Sequence, residues 1–136
     1  MEEETNKALI HRWFDEVWNK GRAEAIYELI APDCKVHGLG VAVLRGPEEF
    51  EPFHASFVGA LSDMHISVDD VLAEGDMTAA RLTVTGTHTG DHLGLDATGK
   101  RVSFTGMTFT RWRDGQIVEG WNNVDLPGLM KQIEAG

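Results

Sequence analysis

Arg81-Leu82-Thr83-Val84-Thr85-Gly86-Thr87-His88 decides the fold class, because this stretch alternates strictly. Leu82, Val84, Gly86 and His88 face one way while Arg81, Thr83, Thr85 and Thr87 face the other, the period of a strand with one covered face. Downstream, Gly99-Lys100 reverses the chain into Val102 to Trp112, Asp114-Gly115 makes the next hairpin, and Ile117 to Asp125 is the last strand before Pro127. Upstream, Ile66 and Val68 alternate with polar residues from Met64 onward, and Gly75-Asp76 turns the chain. The tail around Leu129 to Ile133 reads as a short helix.

Before Met64 the period is helical. Leu9, Ile10, Trp13, Phe14, Val17 and Trp18 form a broad apolar stripe that Asn19-Lys20-Gly21 ends. Ala23, Ile26, Tyr27 and Ile30 repeat the pattern until Pro32 stops it, and Cys34 to His37 is extended. Gly38 and Gly40 break the chain before Val41 to Leu44. Gly46-Pro47-Glu48-Glu49 then opens a third helix, with proline at a permitted first-turn position and acids on its positive end. Phe50, Phe53, Phe57, Val58 and Leu61 make its apolar face, and Pro52 is expected to kink or delay it.

Helices followed by strands indicate an α+β fold: a strongly curved mixed or antiparallel sheet forming a cone, covered by about three helices, with an internal apolar pocket. At 136 residues the chain reads as one domain, 1–136. Twenty-two acids against twelve Lys and Arg give a formal charge of −10, the wrong sign for a nucleic-acid phosphate backbone or an anionic membrane. The acidic start and the lack of a long apolar run give a soluble, cytoplasmic protein as the expectation.

Most chemistries lack their residues. Cys34 is the one cysteine, so it can form no internal disulfide, and it reads as a packed thiol. His88 and His92 are four apart, but Thr89-Gly90-Asp91 between them does not make the helix that such a zinc pair needs, and no metal is expected. The nucleophile elbow, the phosphate-binding loop and the dinucleotide fingerprint are all missing. Trp13, Phe14, Trp18 and Tyr27 read as core, some of them lining the pocket. Trp112 and Trp121 suit a pocket wall or a subunit interface.

The ordered set Trp18-Asn19-Lys20-Gly21, Ala31-Pro32-Asp33, Arg45-Gly46-Pro47, Gly75-Asp76, Gly86-Thr87-His88-Thr89-Gly90, Thr98-Gly99-Lys100-Arg101-Val102 and Asp114-Gly115-Gln116-Ile117-Val118-Glu119-Gly120-Trp121 resembles the SnoaL-like polyketide cyclases. These belong to the wider nuclear-transport-factor-2-like folds. The resemblance covers nearly the whole chain and implies an apolar cavity, a dimer or tetramer, and no cofactor. It further implies intramolecular aldol chemistry by an aspartate just after the last-strand Trp, with a histidine on the preceding strand. Here those positions carry Asn122 and Thr108, which can hydrogen-bond an oxygen but take no proton at neutral pH. The two share a face if the Asp114-Gly115 hairpin has a three-residue loop.

The isomerase relatives place a base at the stretch Val36-His37-Gly38, which makes His37 a candidate base, and His88 is a second. Asp125 falls on the face opposite Asn122. The expectation is therefore a cofactor-free enzyme acting on a small hydrophobic carbonyl compound by cyclisation, isomerisation or dehydration. Its catalytic residues are Asn122 with His37 or His88, and Phe14, Trp18, Phe53, Phe57, Phe104 and Thr108 bind substrate. The alternatives are a non-catalytic binder of an apolar ligand and a SnoaL-like hydroxylase. Because Met107 and Phe109 face away from Phe104 and Trp112, an apolar outer sheet face around Met107, Phe109 and Trp121 is expected to pair in a homodimer.

Overall fold

The structure, a computed structural model, describes residues 2–39, 42–90 and 96–134. Gly40, Val41, Asp91, His92 and Gly94, which entered the reading of the loops, lie outside the described residues. Helix α1 (Glu2–Arg12) runs on into a π-helical stretch (Trp13–Asn19). Then follow α2 (Ala23–Leu29), β1 (Ile30–His37), β2 (Leu44–Arg45), α3 (Gly46–Ala60), β3 (Leu61–Glu74), β4 (Met77–His88), β5 (Arg101–Arg113), β6 (Gln116–Val124) and α4 (Leu126–Glu134). The six strands form one sheet in the order β2-β1-β6-β5-β4-β3, and the parallel pairing of β1 with β6 makes it mixed.

The curl of the sheet has local causes. β3 breaks register between Ser62 and His65, where Asp63 has φ 55°, and again between Val68 and Asp70. β6 breaks register opposite Arg111 and Trp112. Each extra residue bends its strand and increases the local twist. The helices fill the concave side: Ile10, Val17, Ile26 and Leu29 are buried against Leu82, Val84, Val102 and Phe104. β3 is an edge strand, and Asn19 holds it to the helical layer. Its amide donates to the Ile66 carbonyl at 3.0 Å and accepts from the Ile66 N–H at 2.6 Å, as a neighbouring strand would.

Several local expectations are corrected. Pro32 does not stop α2, which ends at Leu29; it sits inside β1, between the paired residues Ile30 and Lys35, where its missing N–H breaks no ladder bond. Pro52 does not delay α3, which starts at Gly46 and runs to Ala60. One lost ladder bond is offset there by the burial of Phe50, His54 and Ala60. Tyr27 is not core: it is 45% exposed, and its hydroxyl donates to Glu51 at 2.6 Å.

The described residues hold four α-helices, the fourth being the tail helix expected around Leu129 to Ile133. α4 takes over where β6 ends: the Gln132 amide bonds both the N–H and the carbonyl of Ser103, at 2.9 and 2.7 Å. Asp125, the carboxylate weighed above, accepts from the Gly128 N–H at 2.9 Å and caps α4. None of the described helices is long and apolar enough to cross a membrane.

Candidate functional site

A partly open cavity of about 100 Å³ lies between the helical layer and the concave sheet face. Trp18 and Phe14 line it from the first helix, Phe50, Phe53 and Phe57 from α3, and residues of β1, β3, β4, β5 and β6 from the sheet. Five neighbouring strands laid flat would span about 19 Å. A space this small touching all five requires the sheet to wrap around it. Phe14, Trp18, Phe53, Phe57, Phe104, Thr108 and Asn122 all line it. Trp13, one of the aromatics read as core with some lining the pocket, lines it too, as do Met64 and Thr110, which were not expected as site residues.

Thr108 and Asn122 are direct cross-strand partners, but not by a three-residue loop. The turn has two residues, Asp114 and Gly115, both with positive φ (52° and 80°), and Arg113 pairs with Gln116. The missing residue of offset is supplied further on. Trp112 pairs with Ile117 and Arg111 with Glu119, so Val118 is a bulge. This bulge lets Ile117 and Gly120 both reach the cavity and turns Asn122 inward.

The Asn122 amide is held from behind. Its Nδ2 donates to the His37 carbonyl at 3.0 Å, and because a carbonyl can only accept, this fixes which end is nitrogen. One N–H and Oδ1 remain for a ligand. Gly38 makes the approach possible: its φ is +83°, and a Cβ built there would lie 1.9 Å from the Asn122 carbonyl oxygen. The Thr108 and Thr110 hydroxyls stand 3.5 Å apart. Thr108, Thr110 and Asn122 are the polar side chains of the lining, and none of the described lining residues ionises near neutral pH. Such a wall strongly disfavours an ionic ligand, whose charge would lose its hydration without a partner.

Residues 8–133 match the family model of the SnoaL-like polyketide cyclases.

The chain belongs to the SnoaL-like polyketide cyclase family.

An aklanonic acid methyl ester cyclase of Streptomyces peucetius is 28% identical over 124 residues, covering 87% of this chain and 83% of that protein. A protein of Jannaschia sp. CCS1, described as a SnoaL-like polyketide cyclase, superposes with a TM-score of 0.90 at 26% identity, covering 98% and 94% of the two chains. IdmH of Streptomyces antibioticus, described as a polyketide cyclase, is 30% identical with a TM-score of 0.82, covering 95% and 98%.

The two histidine candidates fall outside the lining. Val36 points into the cavity, so its neighbour His37 points out. There its Nε2 meets Glu119 at 2.7 Å and its ring stacks on Trp121 at 5.8 Å. The parity of β1, set by its pairing with β6, decides this. His88 is fully buried beyond the cavity. Its Nδ1 accepts from the Thr98 N–H and hydroxyl, at 3.3 and 3.0 Å, which puts its proton on Nε2. That Nε2 has no partner among the described residues.

Cys34 is completely buried, and burial followed by the Asp33 and Glu119 charges pushes its thiol up to about 12, so it carries no thiolate. Trp112 is core and donates to Thr78 at 3.0 Å, while Trp121 belongs to the outer face. Among the described residues no three His, Cys, Asp or Glu gather as a metal site. The sequence reading missed His54. It is buried, and burial lowers its affinity for a proton. Its spacing four residues after Phe50 was the available signal.

Proposed function

We propose that this SnoaL-like protein is a cofactor-free enzyme that cyclises, isomerises or dehydrates a small, uncharged, hydrophobic carbonyl compound. Asn122 is its principal polar group. The observation that carries the reading is the pairing of Thr108 with Asn122 in a wall whose other side chains, Thr110 apart, are apolar or aromatic. Two donors side by side can hold a carbonyl oxygen as it becomes an enolate, and the aromatic walls hold the rest of the molecule folded. The lining offers no base, so the proton leaving carbon goes to water or to an oxygen of the substrate itself. The cyclase relatives act on aklanonic acid methyl ester, whose ester is likewise uncharged. The space here is below the usual range of about 300–1,000 Å³ for drug-sized ligands, which favours a smaller compound.

The test is the intramolecular aldol reaction of a small uncharged aryl diketone, followed by product formation. Wild-type protein should accelerate it over buffer. Asn122→Ala should lose about a hundredfold of that acceleration, and Thr108→Val less. A wild-type rate equal to buffer, with binding intact, would sink the enzyme reading. It would leave the second reading, a non-catalytic binder of an apolar ligand, which the absence of an ionisable lining group favours.

We propose further that the outer sheet face pairs with a second copy of the chain. Met107 and Phe109 on β5 are 60% and 57% exposed, and Phe109 pairs with Trp121 of β6, whose ring stacks on His37 of β1. Light scattering at micromolar concentration should give a dimer mass, and Phe109→Glu should give a monomer. A monomeric wild-type protein would refute the pairing.

A further inference from the structure

Trp18 is the hub of the cavity's helical wall. Phe50, Phe53 and Phe57 present edges to it at 6.1, 6.5 and 6.4 Å. A fourth ring, nearer than these, belongs to His54 at 4.8 Å. His54 is 4% exposed and does not line the cavity, so it stands behind the indole. Its other contact is to the backbone just before Trp18: Nε2 donates to the Val17 carbonyl at 2.6 Å.

That carbonyl is free for a reason. The first helix ends in wide turns, with Lys20 N–H on Asp15 and Arg22 N–H on Glu16. Val17 is left as one of the unclaimed carbonyls of a helix end, and it is buried, so it needs a donor from elsewhere. His54 supplies it across from α3. One side chain thus fixes both the backbone that carries Trp18 and the back of its ring.

We infer that His54 is a positioning residue that sets how far Trp18 projects into the cavity, and so the size of ligand the cavity admits. This rests on the reading above that the cavity is the ligand site. Removing the ring leaves room for the indole to retreat, which favours a larger guest over a smaller one. Keeping the donor while changing the ring holds the Val17 carbonyl in place. A general weakening of the fold would instead lower the affinity for both guests alike.

The experiment compares two uncharged ketones, acetophenone and 2-acetonaphthone, by quenching of tryptophan fluorescence, with circular dichroism as the check on folding. Wild-type protein should bind acetophenone in preference. His54→Ala should shift the ratio of the two affinities toward 2-acetonaphthone by about tenfold or more, while His54→Gln, which retains a donor, restores most of the wild-type ratio. Should His54→Ala fail to fold, His54→Leu against His54→Gln makes the same comparison, with the leucine variant expected to shift toward the larger ketone. An unchanged ratio in the folded alanine or leucine variant overturns the inference alone. Binding of neither ketone by folded wild-type protein overturns the cavity as the ligand site, and the inference with it.

Discussion

Asn122→Asp is expected to make stability fall as pH rises from 4 to 7, a dependence that the same position lacks in the wild type. The Asn122 amide donates to the His37 carbonyl at 3.0 Å, and a carboxylate cannot. An ionised group there would set oxygen against oxygen in a wall of aromatic side chains. The protonated acid, whose O–H can donate to that carbonyl, is the form the fold accepts, so the introduced group should have a raised pKa. The sign follows. Between the unfolded value near 3.9 and the raised folded value, the native state holds the proton and the unfolded state has lost it. Stability is therefore intact below about pH 4 and is lost as pH climbs through the folded value.

A shift of about two units corresponds to a loss of roughly 3 kcal/mol once both forms are ionised. Urea midpoints of both proteins at pH 4 and pH 7 test this directly. An equal gap at the two pH values would mean that the new side chain has swung to solvent. The same variant places a proton acceptor beside Thr108, so its turnover of the aryl diketone should exceed that of the wild type near neutral pH.

Gly38→Ala should be among the most damaging single-methyl changes in the chain. Two effects add there. The residue's φ of +83° is strained for any side chain, and the new Cβ would meet the Asn122 carbonyl oxygen at 1.9 Å. Backbone faces backbone, so the end of β1 must move away from β6, and the His37 carbonyl that orients Asn122 moves with it. A loss of about 3 kcal/mol or more is expected, with a fall in Tm on the order of 10 °C. Gly115→Ala is the control: its φ is +80°, but nothing lies within 4 Å of the added atom, so it carries the conformational cost of about 1 kcal/mol alone. Equal losses in the two variants would show that the contact with Asn122 is not what makes Gly38 necessary. Gly38→Ala should also weaken ketone binding, and Gly115→Ala should not.

Much of the fold was legible along the chain because helices and strands write their covered faces at fixed spacings. The alternation of Leu82, Val84, Gly86 and His88 is inward in the structure, and so are Phe104 and Trp112, while Met107 and Phe109 are outward. Asp114-Gly115 supplied the positive-φ pair its turn demands. Aromatic residues at helical spacing, Trp13, Phe14, Trp18, Phe50, Phe53 and Phe57, do converge on one side.

The sequence could not decide how those faces meet. A bulge is one residue, and nothing in Ile117-Val118-Glu119 announces that Val118 takes that role. Yet without it Asn122 would face outward and the site would not exist. His37 reads as a plausible base, but its parity depends on where β1 docks against β6, a partner more than eighty positions away in the chain. His54 reads as a helical residue like any other until the first helix ends in wide turns and leaves Val17's carbonyl unclaimed beside it. The periodicity that reveals a covered face is a property of neighbouring residues. Register, the facing of a particular side chain and the satisfaction of a stray carbonyl depend on distant segments packing together, so only the tertiary structure determined them.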